Sequence, residues 1–356
     1  MAREMTTHER MTRVLNFEEP DRVPLTDSPW GTTIARWRKE GFPANVSVGD
    51  FFGFEKIAGI GVDNSPRYPG RVIEETEEYV IQTTAWGATM KNWKHAASTP
   101  DFLDFKIKDR ETWEEAKARM VPTDDRVNWA HLEANYPRWR ADGYWIQAGL
   151  WFGYDVFASW HVGTERMLIA LAEDPDWCRD MFEHALSVQL TLLEKVWDRG
   201  YTFDAISFPD DLGYRNGLFF SPKTYREVVK PVHKRAFDWA HDRGLKVMMH
   251  SCGNIVEILP DLIEIGLNCL NPLETKAGMD LIELKKRFGD KLAFQGGIDV
   301  RKMPDGPAIE EEIREKVTIA KEGGGYIYHS DHSVPDSVGF AEYCRVIDLV
   351  RYYGRY

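Results

Sequence analysis

The sequence predicts an α/β fold in which parallel strands curl into a barrel. Three observations carry that prediction. Short apolar segments of strand character recur at 145–148, 205–208, 246–250, 268–271, 292–295 and 326–329. Amphipathic helical stretches lie between most of them, at 222–243, 255–265, 279–288 and 307–322, and strands alternating with helices build parallel sheets. Polar residues gather just after the strands rather than within them, where barrels keep their chemistry. Six late strands plus one or two early ones fit a closed barrel better than an open sheet.

Taken in order, residues 7–15 read as a first helix, capped by Thr7, with Arg10 and Arg13 outward. The chain then turns into a short strand near 23–26. From 61 to 93 the pattern is β-rich, with alternation in Tyr79-Val80-Ile81-Gln82-Thr83-Thr84 that predicts a hairpin excursion. Residues 98–142 are charged and read as helical. The expectation is one domain, 1–356, with an insertion at about 61–142.

Composition narrows the function. The 356 residues are 43% hydrophobic, enough for a large core, and no apolar run reaches the length of a membrane span. The polar start, Met1-Ala2-Arg3-Glu4-Met5, has no apolar stretch of the kind a signal peptide carries. Four cysteines are too few for a disulfide framework in a chain this long, which points to the reducing cytoplasm. A net charge of -12 argues against nucleic-acid binding. Thirteen tryptophans and fourteen tyrosines suit a pocket for a flat or bulky ligand as well as a core.

The segment Val247-Met248-Met249-His250-Ser251-Cys252-Gly253-Asn254 is the most informative. Side chains alternate along a strand, so His250 and Cys252 point the same way from its end. An imidazole and a thiol there make half of a catalytic zinc site, which needs about three protein ligands and an open position. The third ligand falls to His332, with His329 and Asp331 as rivals. The bland alternative is a buried, hydrogen-bonded histidine beside an inert thiol. Cys269 and Cys344 suit packing.

Other strand ends supply Gln147, Trp151 and Tyr154 for substrate binding, with Gln295 and His329 opposite. Asp210-Asp211 ends a buried strand and suits proton handling or support of a metal, as does Asp331. In the early loop, Asp63 and Arg67 offer a carboxylate clamp. Gly323-Gly324-Gly325 precedes a strand, so it lacks the geometry of a phosphate-binding turn.

Several stretches together resemble the uroporphyrinogen decarboxylase superfamily: Thr7-His8-Glu9-Arg10-Met11 through Pro20-Asp21-Arg22-Val23-Pro24, Asn216-Gly217-Leu218-Phe219-Phe220-Ser221-Pro222, His250-Ser251-Cys252-Gly253-Asn254 and Gln295-Gly296-Gly297-Ile298-Asp299. The resemblance implies a (β/α)8 TIM barrel with its cleft at the strand C-termini. The superfamily holds metal-free decarboxylases and cobalamin-dependent methyltransferases that use zinc. The decarboxylases grip their substrate with an Arg-Gln-Ala-Gly-Arg motif, but the matching stretch here, Thr26-Asp27-Ser28-Pro29-Trp30-Gly31-Thr32, has no arginine before Arg36. The methyltransferases carry His-x-Cys plus a late cysteine, where this chain has Ser330-Asp331-His332-Ser333.

The resemblance therefore implies a zinc site of His250, Cys252 and His332. It implies methyl transfer between a small substrate (a thiol, methoxy compound, methylamine or tetrahydrofolate) and a corrinoid such as methylcobalamin. The corrinoid would arrive on a partner protein, since no corrinoid-binding domain is visible. A homodimer is compatible with the sequence. The rival readings are a metal-free decarboxylase, with Asp63 and Arg67 in recognition, and a non-catalytic corrinoid- or tetrapyrrole-binding barrel.

Overall fold

A computed structural model describes residues 3–96 and 99–356; Met1, Ala2 and Ala97, and Ser98, which opens the stretch read as helical, lie outside them. The strands in chain order are β1 (Ile57–Ile60), β2 (Arg71–Glu75), β3 (Tyr79–Thr83), β4 (Ala88–Trp93), β5 (Asp101–Phe105), β6 (Trp145–Gly149) and β7 (Ala205–Pro209). They continue with β8 (Gly213–Tyr214), β9 (Gly217–Leu218), β10 (Lys246–His250), β11 (Cys269–Asn271), β12 (Ala293–Gln295) and β13 (Tyr326–Ile327). Seven of them form one parallel sheet in the order β1-β6-β7-β10-β11-β12-β13. The fold is TIM-barrel-like.

The strand predicted at 23–26 shrinks to a bridge at Leu25 with Tyr328. Pro24 has no N–H to give a ladder, so the segment makes only scattered bonds. Those bonds reach both sheet edges: Tyr328 N–H donates to Pro24 O, Thr26 N–H to Tyr328 O, and Glu55 N–H to Leu25 O just before β1. Between β1 and β6 the chain builds a separate four-stranded antiparallel sheet, β2-β3-β4-β5. It holds the predicted hairpin. It also holds β5, inside the stretch read as helical, before the helices Arg110–Arg119 and Trp129–Ala141.

Pairing fixes which side chains face inward, because parallel partners share a face. Trp145, Ala205, Met248, Cys269, Ala293 and Ile327 join Met11, Val14 and Leu15 of the first helix in one apolar cluster. That cluster floors the sheet's concave side. One step further along the strands, the inward residues change character: Gly59, Gln147, Ser207, His250, Asn271, Gln295 and His329 are polar or glycine, and all are open to solvent to some degree. Their outward neighbours, Ile146, Ile206, Phe208, Val247, Met249, Leu270 and Phe294, are buried under the helices. The alternation therefore makes an apolar floor beneath a polar mouth.

The first helix runs Thr7–Leu15, but its cap is Thr6, which takes the Glu9 N–H in a capping box. Arg10 is not outward. It is 2% exposed, with its guanidinium on Asp21 at 2.7 Å and Glu55 at 2.8 Å. Burial of so strong a cation is tolerated because both carboxylates meet it. The triple glycine also has a structural role. All three residues have φ near +70°, and a Cβ on Gly324 would fall 2.6 Å from Glu18 O.

Candidate metal centre

The strand end at β10 brings three ligand-type atoms together. The Cys252 sulfur lies 3.4 Å from His250 Nε2, and Asp211 Oδ1 lies 3.7 Å from the same nitrogen. Asp211, His250 and Cys252 are the group of three or more His, Cys, Asp or Glu side chains, among the described residues, whose ligand atoms all lie within 4.8 Å of one another. Tetrahedral zinc, with bonds of about 2.3 Å to sulfur and about 2.0 Å to nitrogen, holds such atoms about 3.5 Å apart. The spacing fits.

The imidazole is prepared for that task. His250 Nδ1 lies 2.7 Å from Asn271 Oδ1, an acceptor, so the ring proton sits on Nδ1 and the Nε2 lone pair faces Cys252 and Asp211. The support continues across the sheet. Asn271 donates to Gln295 O at 3.1 Å, Gln295 to Thr26 Oγ at 2.9 Å, and Thr26 to Tyr328 O at 2.8 Å. Four strand ends thus hold one ring.

The Cys252 turn is equally constrained. Its N–H donates to Asp211 Oδ1 at 2.7 Å, and the Gly253 N–H donates to Glu274 at 2.9 Å. Gly253 has φ +77°, and a Cβ there would meet the Gly213 carbonyl carbon at 2.2 Å. Two backbones touch where only glycine fits. Burial, then Asp211 and Glu274, push the Cys252 thiol well above its usual range. Burial also raises Asp211. A donor set that resists ionisation for want of positive charge is what a metal dication offsets.

The remaining predicted residues divide clearly. Asp210 is fully buried rather than at the mouth. Its Oδ2 meets His233 Nε2 at 2.8 Å, and its Oδ1 takes the Asp155 N–H at 2.7 Å. Consecutive residues face opposite ways, so Asp211 reaches the centre and Asp210 the core. Asp331 is 2% exposed and ties two loops together by accepting from Thr275 Oγ and the Val300 N–H. Both oxygens are engaged in these bonds.

His332 does not join the three-atom group. Its ring lies edge-on to Trp30, with centroids 6.1 Å apart. His329 contacts Ser330 O and Ser28. Gln147 and Gln295 line the mouth. Asp63 and Arg67 are bound to each other at 2.6 Å, and Arg67 also pairs with Asp125, so the guanidinium is occupied rather than free to clamp a carboxylate. Trp151 sits at the rim, and its ring neighbours Trp86 at 6.0 Å and Trp160 at 5.7 Å. Tyr154 is 2% exposed, packed against Phe219 and Phe220, and its hydroxyl has no partner.

Sequence reasoning missed two groups. Asn271 ends β11 as His250 ends β10, and that position was its only signal. Asp155 had none. Its Oδ1 accepts from Ser159 at 2.8 Å, and burial together with Asp211 pushes it up to about 7.

His161, beside this rim, is fully buried with neither ring nitrogen paired. Burial alone lowers it to about 3. The fold therefore holds it neutral. Below pH ~6.5 the unfolded chain takes a proton that the folded chain refuses until about pH 3, so stability present above 6.5 drains away on acidification by up to about 1.4 kcal/mol per pH unit. His161→Phe fills the same space without the titration. Its melting temperature should exceed wild type by a margin that widens from pH 7 to pH 5, and parallel curves would contradict this account.

The fold is that of a TIM-barrel-like protein, with the candidate site at the sheet's carboxyl edge. More particularly, residues 157–353 match the uroporphyrinogen decarboxylase (URO-D) family. The chain belongs to that family. No curated protein matches it. Among solved structures it is similar in fold to a methyltransferase from Methanosarcina mazei, at 15% identity and a TM-score of 0.65, covering 98% of this chain and 99% of that one. A D-psicose 3-epimerase aligns at 13% identity with a TM-score of 0.30, covering 63% of this chain and 81% of that one, too distant to support any argument.

Proposed function

We propose that the protein is a zinc-dependent methyltransferase that exchanges a methyl group between a small substrate and a corrinoid carried by a partner protein. The observation that carries this reading is the spacing of Asp211, His250 and Cys252, with His250 Nε2 freed by Asn271. His250, Cys252 and Asp211 would hold the metal, Asp211 taking the place expected for His332. Zinc would act there as a Lewis acid on a thiol, oxygen or nitrogen of the substrate. The methyltransferase name of the Methanosarcina neighbour points the same way.

The residues around the metal have separable tasks. Asn271 keeps the His250 proton on Nδ1. Glu274 fixes the Gly253 turn and so the Cys252 sulfur. Gln147 and Gln295 offer amides to a polar substrate group from the inward row. Arg67 is spent on Asp63 and Asp125, which removes it as a grip on a polycarboxylate substrate of the decarboxylase kind.

The third ligand is decided by metal analysis of two variants. His332→Ala should keep the zinc of the wild type. Asp211→Ala should lower zinc affinity by at least tenfold, consistent with loss of one ligand. The reverse pattern would restore His332 to the site, and a folded wild-type protein that takes up no zinc would end the metal reading altogether.

A further inference from the structure

Three strand ends meet at one buried carboxylate. Asp210, directly after β7, has no exposed surface. Its N–H donates to His250 O at 2.8 Å, which ties the end of β7 to the end of β10. The two following residues repeat the tie. Asp211 Oδ1 accepts the Cys252 N–H at 2.7 Å, and the Leu212 N–H donates to Ser251 Oγ at 3.1 Å. Residues 210–212 are therefore bolted to residues 250–252, and Asp211, His250 and Cys252 all lie within these two turns. From the segment after β6, the Asp155 N–H donates to Asp210 Oδ1 at 2.7 Å.

The other oxygen leads away from the mouth. Asp210 Oδ2 lies 2.8 Å from His233 Nε2, and His233 Nδ1 lies 3.3 Å from the Tyr225 hydroxyl. An ionised carboxylate can only accept, so Nε2 carries the ring proton and Nδ1 takes the tyrosine O–H. Tyr225 and His233 are fully buried as well. Tyr225 opens a π-helical turn, Tyr225–Val229, that runs into the helix Lys230–His241 carrying His233. Such wide turns are rare and frequently mark functional sites.

Burying a charged pair is costly, and two apolar groups often serve stability as well or better. A polar row kept inside an apolar shell therefore calls for another role, and the ties at its mouth end show one. Displacing Asp210 would release the His250 carbonyl and shift Asp211 in the adjacent position. We infer that Tyr225, His233 and Asp210 are positioning residues for the candidate metal centre, holding Asp211, His250 and Cys252 at ligand spacing without being ligands themselves. The inference rests on the zinc reading of that centre. Groups that orient ligands from behind typically change metal affinity by about 10–100-fold when lost.

Two measurements on the full-length protein test this without a turnover assay: zinc affinity by competition with a chromophoric chelator, and the visible spectrum of the cobalt(II) form. Asp210→Asn leaves one of two donors, the Asp155 N–H or His233 Nε2–H, without an acceptor, and His233→Leu removes the second donor. Each should weaken zinc by about tenfold or more and shift the cobalt bands. His233→Gln, whose amide N–H reaches where Nε2 does, should bind zinc as the wild type does. Ile313→Ala truncates the fully buried core side chain of the helix Gly306–Lys321. It lowers stability alone and should leave both readouts unchanged. Should His233→Leu fail to fold, Asp210→Asn carries the test. Wild-type zinc affinity in Asp210→Asn and His233→Leu, or an equal loss in Ile313→Ala, would overturn the inference. A wild-type protein that takes up no zinc would end the metal reading and this inference with it, whereas zinc held equally by wild type and both variants would end the inference alone.

Discussion

Cys252→Ala is expected, on the proposed zinc methyltransferase reading, to abolish metal retention and to reduce methyl transfer by on the order of 10³-fold or more, because several kcal/mol of Lewis-acid stabilisation would depart with the metal. The reasoning begins at the strand. Cys252 contributes the one sulfur of the group, 3.4 Å from His250 Nε2, and sulfur is the softest of the three donors for zinc. The substitution removes a ligand without disturbing its neighbours, because the Cys252 bond to Asp211 is made by the backbone N–H. The variant should therefore fold with wild-type circular dichroism. Zinc per chain and turnover, measured on one preparation, check the prediction. Full metal occupancy in Cys252→Ala would show that sulfur is not a ligand.

The second large effect concerns stability. Asp210 and His233 are both completely buried and meet at 2.8 Å, within a shell that includes the rings of Phe152, Phe208 and Phe237. His233→Leu would leave one carboxylate oxygen without a partner in that shell. Breaking a buried polar pair on one side costs roughly 3–5 kcal/mol, against a total stability of about 5–15 kcal/mol for a typical protein. The double variant Asp210→Leu/His233→Leu should recover part of the loss, because two apolar groups leave no orphaned charge. Urea unfolding midpoints for the two variants check the order. A single variant as stable as wild type would show that water or a neighbour already serves Asp210.

How much of this was visible in the chain varies with distance in sequence. The late parallel strands were legible because each carries its own apolar signal between helices. β1 was not, since Ile-Ala-Gly-Ile is short and contains glycine. The pairing of His250 with Cys252 was legible because both lie within three residues on one strand end. Asp211 was legible as a polar strand end, but its separation from Asp210 is a matter of strand alternation and was not. Arg10 read as outward because its partner Glu55 comes 45 residues later, and no local pattern announces such a pair. His332 read as a ligand because its loop falls at the right point in the chain. Asp331, pinned to Thr275 and Val300, sits within the loop, and the histidine ring lies against Trp30.

The floor beneath the polar mouth has a further consequence. Met11, Val14 and Leu15 meet Trp145, Met248 and Ile327 in a cluster with hardly any exposed surface, so the vessel is stoppered at one end. Whatever reacts at Cys252 enters and leaves by the same doorway. On the proposed methyl-transfer reading, a bulky methyl carrier and a small reactant would take turns or share that opening. Initial-rate kinetics with both varied would reveal the queue.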